Sequence, residues 1–141
     1  MPVDPTVLRR RLRALERYLR VLRELRTAGR EAFVSDQALQ DRVERNAELL
    51  AQTCADIALH LVSAAGSSAP ETYSDAVRAA GAIVGIPAEL SDRLAAAVRL
   101  RNILVHMYLD VDHGRLFDEL GWIDDTETFA RLVEQWLTKL T

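Results

Sequence analysis

The sequence predicts an all-α fold: an antiparallel bundle of four long helices with one or two short helices. Three observations carry this. Apolar residues recur at steps of three and four along most of the chain. Helix start and stop residues punctuate those runs. No segment alternates with the period of two expected of a half-buried strand. At 141 residues, 49% of them hydrophobic, the chain reads as one domain, 1–141, with core enough to fold without disulfide staples.

The elements follow in order. Asp4-Pro5 starts the first helix, Pro suiting the first helical turn. Leu8, Leu12, Leu15, Leu19 and Leu22 form its apolar stripe, and Thr27-Ala28-Gly29 ends or loosens it. Ser35-Asp36 opens a second helix, whose inner face is Leu39, Val43, Leu50, Cys54, Ile57 and Leu61. The small residues of Ala65-Gly66-Ser67-Ser68-Ala69-Pro70 read as a loop. A third helix runs from about Glu71 to Val84, where Gly85-Ile86-Pro87 interrupts the pattern. The fourth runs from about Ala88 to Leu109. Asp112 can cap a short helix through Leu120, and Gly121 ends it. The last helix spans about Asp124 to Leu140, with Phe129, Leu132, Val133, Trp136 and Leu137 inward and Trp122 as a further anchor.

Composition narrows the function. A single cysteine, Cys54, excludes an internal disulfide and gives no zinc pattern; in a helical run it reads as a small buried apolar residue. With no signal-type h-region and no apolar run near the roughly 18 residues of a membrane span, the expectation is a soluble, cytoplasmic protein. The net charge of −3 conceals an asymmetry. Residues 1–30 hold nine Arg against three acids, a balance of +6. Residues 31–141 hold nine bases against eighteen acids, a balance of −9. The Arg-rich first helix reads as a solvated face, or as a basic wall for RNA phosphates or an acidic partner.

The chemistry concentrates in Arg101-Asn102-Ile103-Leu104-Val105-His106-Met107-Tyr108, four polar side chains within an otherwise apolar helical run. Polar groups entering an apolar surface need partners, so a helix that only packed would use Leu and Ala. Arg offers a fork of donors suited to phosphate, and His exchanges a proton near neutral pH. At about 100° per residue, Leu94, Val98, Arg101, Val105 and Tyr108 share one face, while Arg99, Asn102, His106 and Asp110 form a polar line. Arg101 and His106 then sit roughly 140° apart. They converge most simply across a two-fold dimer, so the expected active unit is a homodimer with two such helices lining one cleft. The alternative roles are structural: Arg101 as an ion-pair member with Asp56 or Glu44, His106 as a satisfied helix histidine, Tyr108 as core. Asp56 and His60 share a face at i, i+4, but two ligands do not make a metal site, so structural pairing is preferred. His113, in a turn beside Gly114, is expected to be solvated.

Arg101-x4-His106-x-Tyr108 resembles the R-x4-H-x-Y motif of the HepT-like toxins of the HEPN superfamily. The resemblance extends through 43–61, through Pro70-Glu71-Thr72-Tyr73 and through Tyr108-Leu109-Asp110-Val111-Asp112, so it covers nearly the whole chain. Met107 stands where that family often has Gly. The resemblance implies a dimeric helical bundle and a metal-independent endoribonuclease with paired motifs at the interface. It implies the toxin of a toxin–antitoxin pair whose partner is a minimal nucleotidyltransferase (MNT) antitoxin. That partner would inactivate the toxin by transferring AMP from ATP to the motif tyrosine, here Tyr108. The toxin itself would need no cofactor or metal, ATP serving only as the partner's AMP donor. Arg101 and His106 are then the expected catalytic residues, with Asn102 and Tyr108 in support. Two other readings stand beside it: a non-catalytic nucleotide- or RNA-binding accessory subunit of a nucleotidyltransferase, and a purely structural helical dimer.

Overall fold

In a computed structural model the protein is described over residues 3–66, 68–106 and 112–140, with the backbone alone at 100–106. The described residues form seven helices: α1 Pro5–Arg26, α2 Arg30–Ser35, α3 Gln37–Ala64, α4 Tyr73–Val84, α5 Ala88–His106, α6 His113–Asp118 and α7 Trp122–Leu140. Four of them, α1, α3, α5 and α7, have 19 residues or more, as the periodicity predicts.

Local chemistry starts these helices. The Asp4 carboxylate accepts from the N–H groups of Thr6 (3.0 Å) and Val7 (3.4 Å), and Pro5 has no N–H to satisfy. Asp36 caps α3 at Leu39 N (3.2 Å), Thr72 caps α4 at Asp75 N (3.0 Å), and Asp112 caps α6 at Arg115 N (3.1 Å). Gly85 closes α4 in the left-handed region at φ 81°, so its own N–H and that of Ile86 both return to the Gly81 carbonyl.

Helix α3 is the central post and packs on α1, α2, α4 and α5. The α1 stripe Leu8, Leu12, Leu15, Leu19 and Leu22 is buried with Val43, Leu50, Cys54, Ile57 and Leu61 of α3 and Phe129, Val133 and Leu137 of α7 in one core. Each fully buried Leu adds about 1.5–3 kcal/mol relative to exposure. Leu39, Leu132, Trp122 and Trp136 are only partly buried against that core. Burial pushes the Cys54 thiol up to about 12, which makes it a packing residue.

Side-chain pairs set the directions. Arg11 meets Asp56 (3.3 Å) and the Asp4 N–H donates to His60 Nε2 (3.2 Å), so α1 runs antiparallel to α3. Arg9 meets Glu134 (3.3 Å) and Arg23 meets Asp124 (2.9 Å), so α1 also runs antiparallel to α7. Asp56 further accepts from Gln52 Nε2 (2.8 Å). The Asp56–His60 spacing therefore serves as two anchors for α1, in line with structural pairing.

Two features differ from the expectation. Helix α2 stands where the sequence offered no element of its own. Phe33 is fully buried, and Gln40 Nε2 donates to the carbonyls of Phe33 and Val34 (both 2.9 Å). His113 is not a freely solvated turn residue: it opens α6, with its ring edge-on to Phe33 at 6.0 Å and Nδ1 3.2 Å from Glu44 Oε1. The approach is close enough for an ion pair with a protonated imidazole but too far off line for a hydrogen bond. Burial raises the Glu44 pKa, the facing imidazole opposes that shift, and Asp41 adds to it.

Candidate functional site on helix α5

Helix α5 carries the motif, and its first half is firmly seated. Leu90, Leu94, Ala95, Ala97 and Val98 are buried. The α4–α5 hairpin is held by Ser74 Oγ donating to the Ala95 carbonyl (2.9 Å) and by Arg78 Nε on Asp92 (3.2 Å). Arg93 makes a bidentate pair with Asp125 of α7, Nε at 2.9 Å and Nη2 at 3.1 Å. Hydrogen bonding to Asp125 raises the Arg93 pKa further, so this guanidinium stays charged.

Beyond this seat the backbone continues as α-helix through Arg101 and Asn102 to His106. A continuous helix keeps positions 101 and 106 roughly 140° apart, and puts 102 one turn before 106 on the line that starts at Arg99. Tyr108 and Asp110 lie outside the described residues. The two carboxylates weighed as partners of Arg101 have other contacts: Asp56 with Arg11 and Gln52, Glu44 with His113. Among the described residues no cluster of three or more His, Cys, Asp or Glu is placed to hold a metal ion, and no helix is long and apolar enough to cross a membrane.

A groove of about 640 Å³ flanks the Arg99 line, walled by Arg93, Ala96 and Arg99 of α5 and by Glu119, Trp122 and Asp125 beyond α6. Of the polar line on α5 only Arg99 lines this groove, the rest of that wall being Arg93, Ala96 and Ala97. The other wall comes from residues about twenty to thirty positions later and leaves no local signal.

The chain is similar to known proteins along most of its length. The tRNA nuclease HepT of Aphanizomenon flos-aquae is 27% identical over 139 residues, covering 98% of this chain and 95% of that protein. A toxin–antitoxin crystal structure with AMP-PNP is 25% identical with a TM-score of 0.80, covering 92% of this chain and 98% of its own. A tri-AMPylated Shewanella oneidensis HEPN toxin in complex with its MNT antitoxin shares the fold at a TM-score of 0.81 and 24% identity, covering 94% of this chain and 99% of that one. The family described as "Ribonuclease HepT-like" matches residues 15–133, and the chain belongs to that family of ribonucleases.

Proposed function

We propose that this chain is the toxin of a toxin–antitoxin pair: a homodimeric, cytoplasmic endoribonuclease that needs no metal ion and is silenced by a nucleotidyltransferase partner. The observation that carries the reading is the R-x4-H segment on the last turns of a continuous helix, in a chain of the HepT-like ribonuclease family. The relative described as a tRNA nuclease supports an RNA substrate, and the toxin–antitoxin structure with AMP-PNP supports a nucleotide-using partner.

Cutting a phosphodiester without a metal requires activating the 2′-hydroxyl, stabilising charge on the phosphorus oxygens and protonating the 5′-oxygen. His106 is the general base or acid, and two copies across a dimer provide one of each. Arg101 neutralises the charge that builds on the non-bridging oxygens. The 140° offset of the two positions on one helix is what calls for the second copy. Asn102, one turn from His106, orients the imidazole or binds phosphate. Tyr108 donates to a phosphate oxygen until AMP is attached to it, when bulk and negative charge oppose RNA entry. The products are a 2′,3′-cyclic phosphate and a 5′-hydroxyl.

The test is RNA cleavage by purified protein with EDTA present. Wild type should cut, while His106→Ala and Arg101→Ala should fold normally and leave RNA intact. Cleavage by His106→Ala at the wild-type rate overturns the catalytic assignment. A wild-type protein that binds RNA or nucleotide without cutting is the accessory subunit instead.

A further inference from the structure

Helix α1 presents two sets of arginines. The set turned toward neighbouring helices is paired: Arg9 with Glu134, Arg11 with Asp56, Arg23 and Arg26 with Asp124. The second set, Arg10, Arg13, Arg17 and Arg20, is exposed, and among the described residues none of the four forms an ion pair. At about 100° per residue they fall within an arc of about 80°, nearly opposite the buried leucine stripe. At about 1.5 Å per residue they span about 15 Å of helix. Arg17 lies over the Tyr18 ring at 5.1 Å and is held there by a bond to the phenol oxygen (3.4 Å).

Resting on the reading of this chain as an RNA-cutting enzyme, we propose that the Arg10–Arg13–Arg17–Arg20 stripe grips the phosphate backbone of a folded RNA away from the cutting site. Three observations favour that occupant. The stripe concentrates positive charge on one helix of a chain whose residues 31–141 carry −9, so RNA phosphates are drawn to it. Every exposed residue of α1 is polar, Thr6, Glu16 and Glu24 joining the four arginines, although Tyr18 is half-buried beneath Arg17 and Arg13 and Arg20 edge an apolar groove of about 890 Å³ shared with α7. Helix α1 packs on α3 and α7, whereas α5 packs on α3, α4 and α7, so the stripe and the motif helix occupy different parts of the bundle. A folded RNA has the extent to touch both helices at once.

The experiment compares the quadruple Arg10→Gln/Arg13→Gln/Arg17→Gln/Arg20→Gln variant with wild type. Gln keeps helix propensity, and circular dichroism checks the fold. Binding of transfer RNA across a salt series is measured in a His106→Ala background, where cutting is blocked. At about 0.7–0.9 per neutralised phosphate, losing four contacts should flatten the slope of log K against log salt by about 3. In the otherwise wild-type background, cleavage of transfer RNA should fall by about tenfold or more at physiological salt, while cleavage of a short single-stranded oligonucleotide stays unchanged. An unchanged slope with unchanged transfer RNA cleavage overturns the proposal. So does a loss of nucleotidyltransferase binding with the RNA slope intact, which assigns the stripe to a protein partner. If wild type cuts neither RNA, the catalytic reading falls, and the salt slope still decides the stripe.

Discussion

Gly81 lets the motif helix sit close to α4, and replacing it should reveal how tightly α5 is seated. A Cβ built on Gly81 would overlap Ser91 Oγ and come within 3.4 Å of Ser91 Cβ and 3.5 Å of Ile86 Cβ. Ser91 is 6% exposed, so its hydroxyl has little room to swing away. Two effects oppose one another in Gly81→Ala. The helix gains about 1 kcal/mol of intrinsic propensity. Forcing a methyl into a filled contact costs about 1–3 kcal/mol. Ser91→Ala removes the overlapping oxygen and leaves a Cβ–Cβ approach that a few tenths of an ångström relieves. Gly81→Ala should therefore be neutral to destabilising by about 2 kcal/mol in wild type, and stabilising by up to about 1 kcal/mol in the Ser91→Ala background. Urea unfolding of the four proteins gives the coupling energy, expected between about 1 and 3 kcal/mol. Equal effects of Gly81→Ala in both backgrounds would refute the close-approach argument.

Three further outcomes can be measured elsewhere in the chain. Burial of Asp124 raises its pKa, but hydrogen bonds from Arg26 and Arg23 outweigh that and hold it below the usual carboxylate value. A lowered folded-state pKa stabilises above the unfolded value near about 3.9 and is lost as pH falls through the folded value. Asp124→Asn should cost about 1 kcal/mol at pH 7, the half-exposed pairs being discounted for solvent and the first-turn position of α7 included. In thermal melts that gap should close as the pH falls through the lowered Asp124 value, below the usual carboxylate range, and a gap that persists in strong acid contradicts the assignment. Cys54, with its thiol up to about 12 and fully shielded, should react with a thiol reagent only at the rate of unfolding; fast labelling of native protein would disprove its burial. Tyr108→Phe incubated with the nucleotidyltransferase and ATP should gain no AMP mass, and an AMP adduct on that variant moves the modification elsewhere.

Much of the fold was legible because its signals are local. The Leu8-to-Leu22 stripe and the caps at Asp4, Asp36 and Asp112 depend on residues within a turn or two, and the structure places them as the spacing implies. Helix α2 was not legible, since six residues are too few for a period and Phe33 is held by Gln40 and packed against Phe117 at 5.5 Å. His113 was read as solvated for the same reason: its neighbours Phe33 and Glu44 are distant in the chain.

The candidate site divides along the same line. The candidate residues Arg101, Asn102, His106 and Tyr108 could be named from sequence alone, because they fall within eight consecutive positions of an apolar run. The sequence also determined that the first thirty residues are basic and the rest acidic. Packing of the helices settles which arginines pair with acids of α3 and α7 and which face outward, and which far residues wall the groove beside Arg99. Ion pairs and grooves join side chains from tens to more than a hundred residues apart, and no local pattern encodes a contact that exists only after the helices have packed.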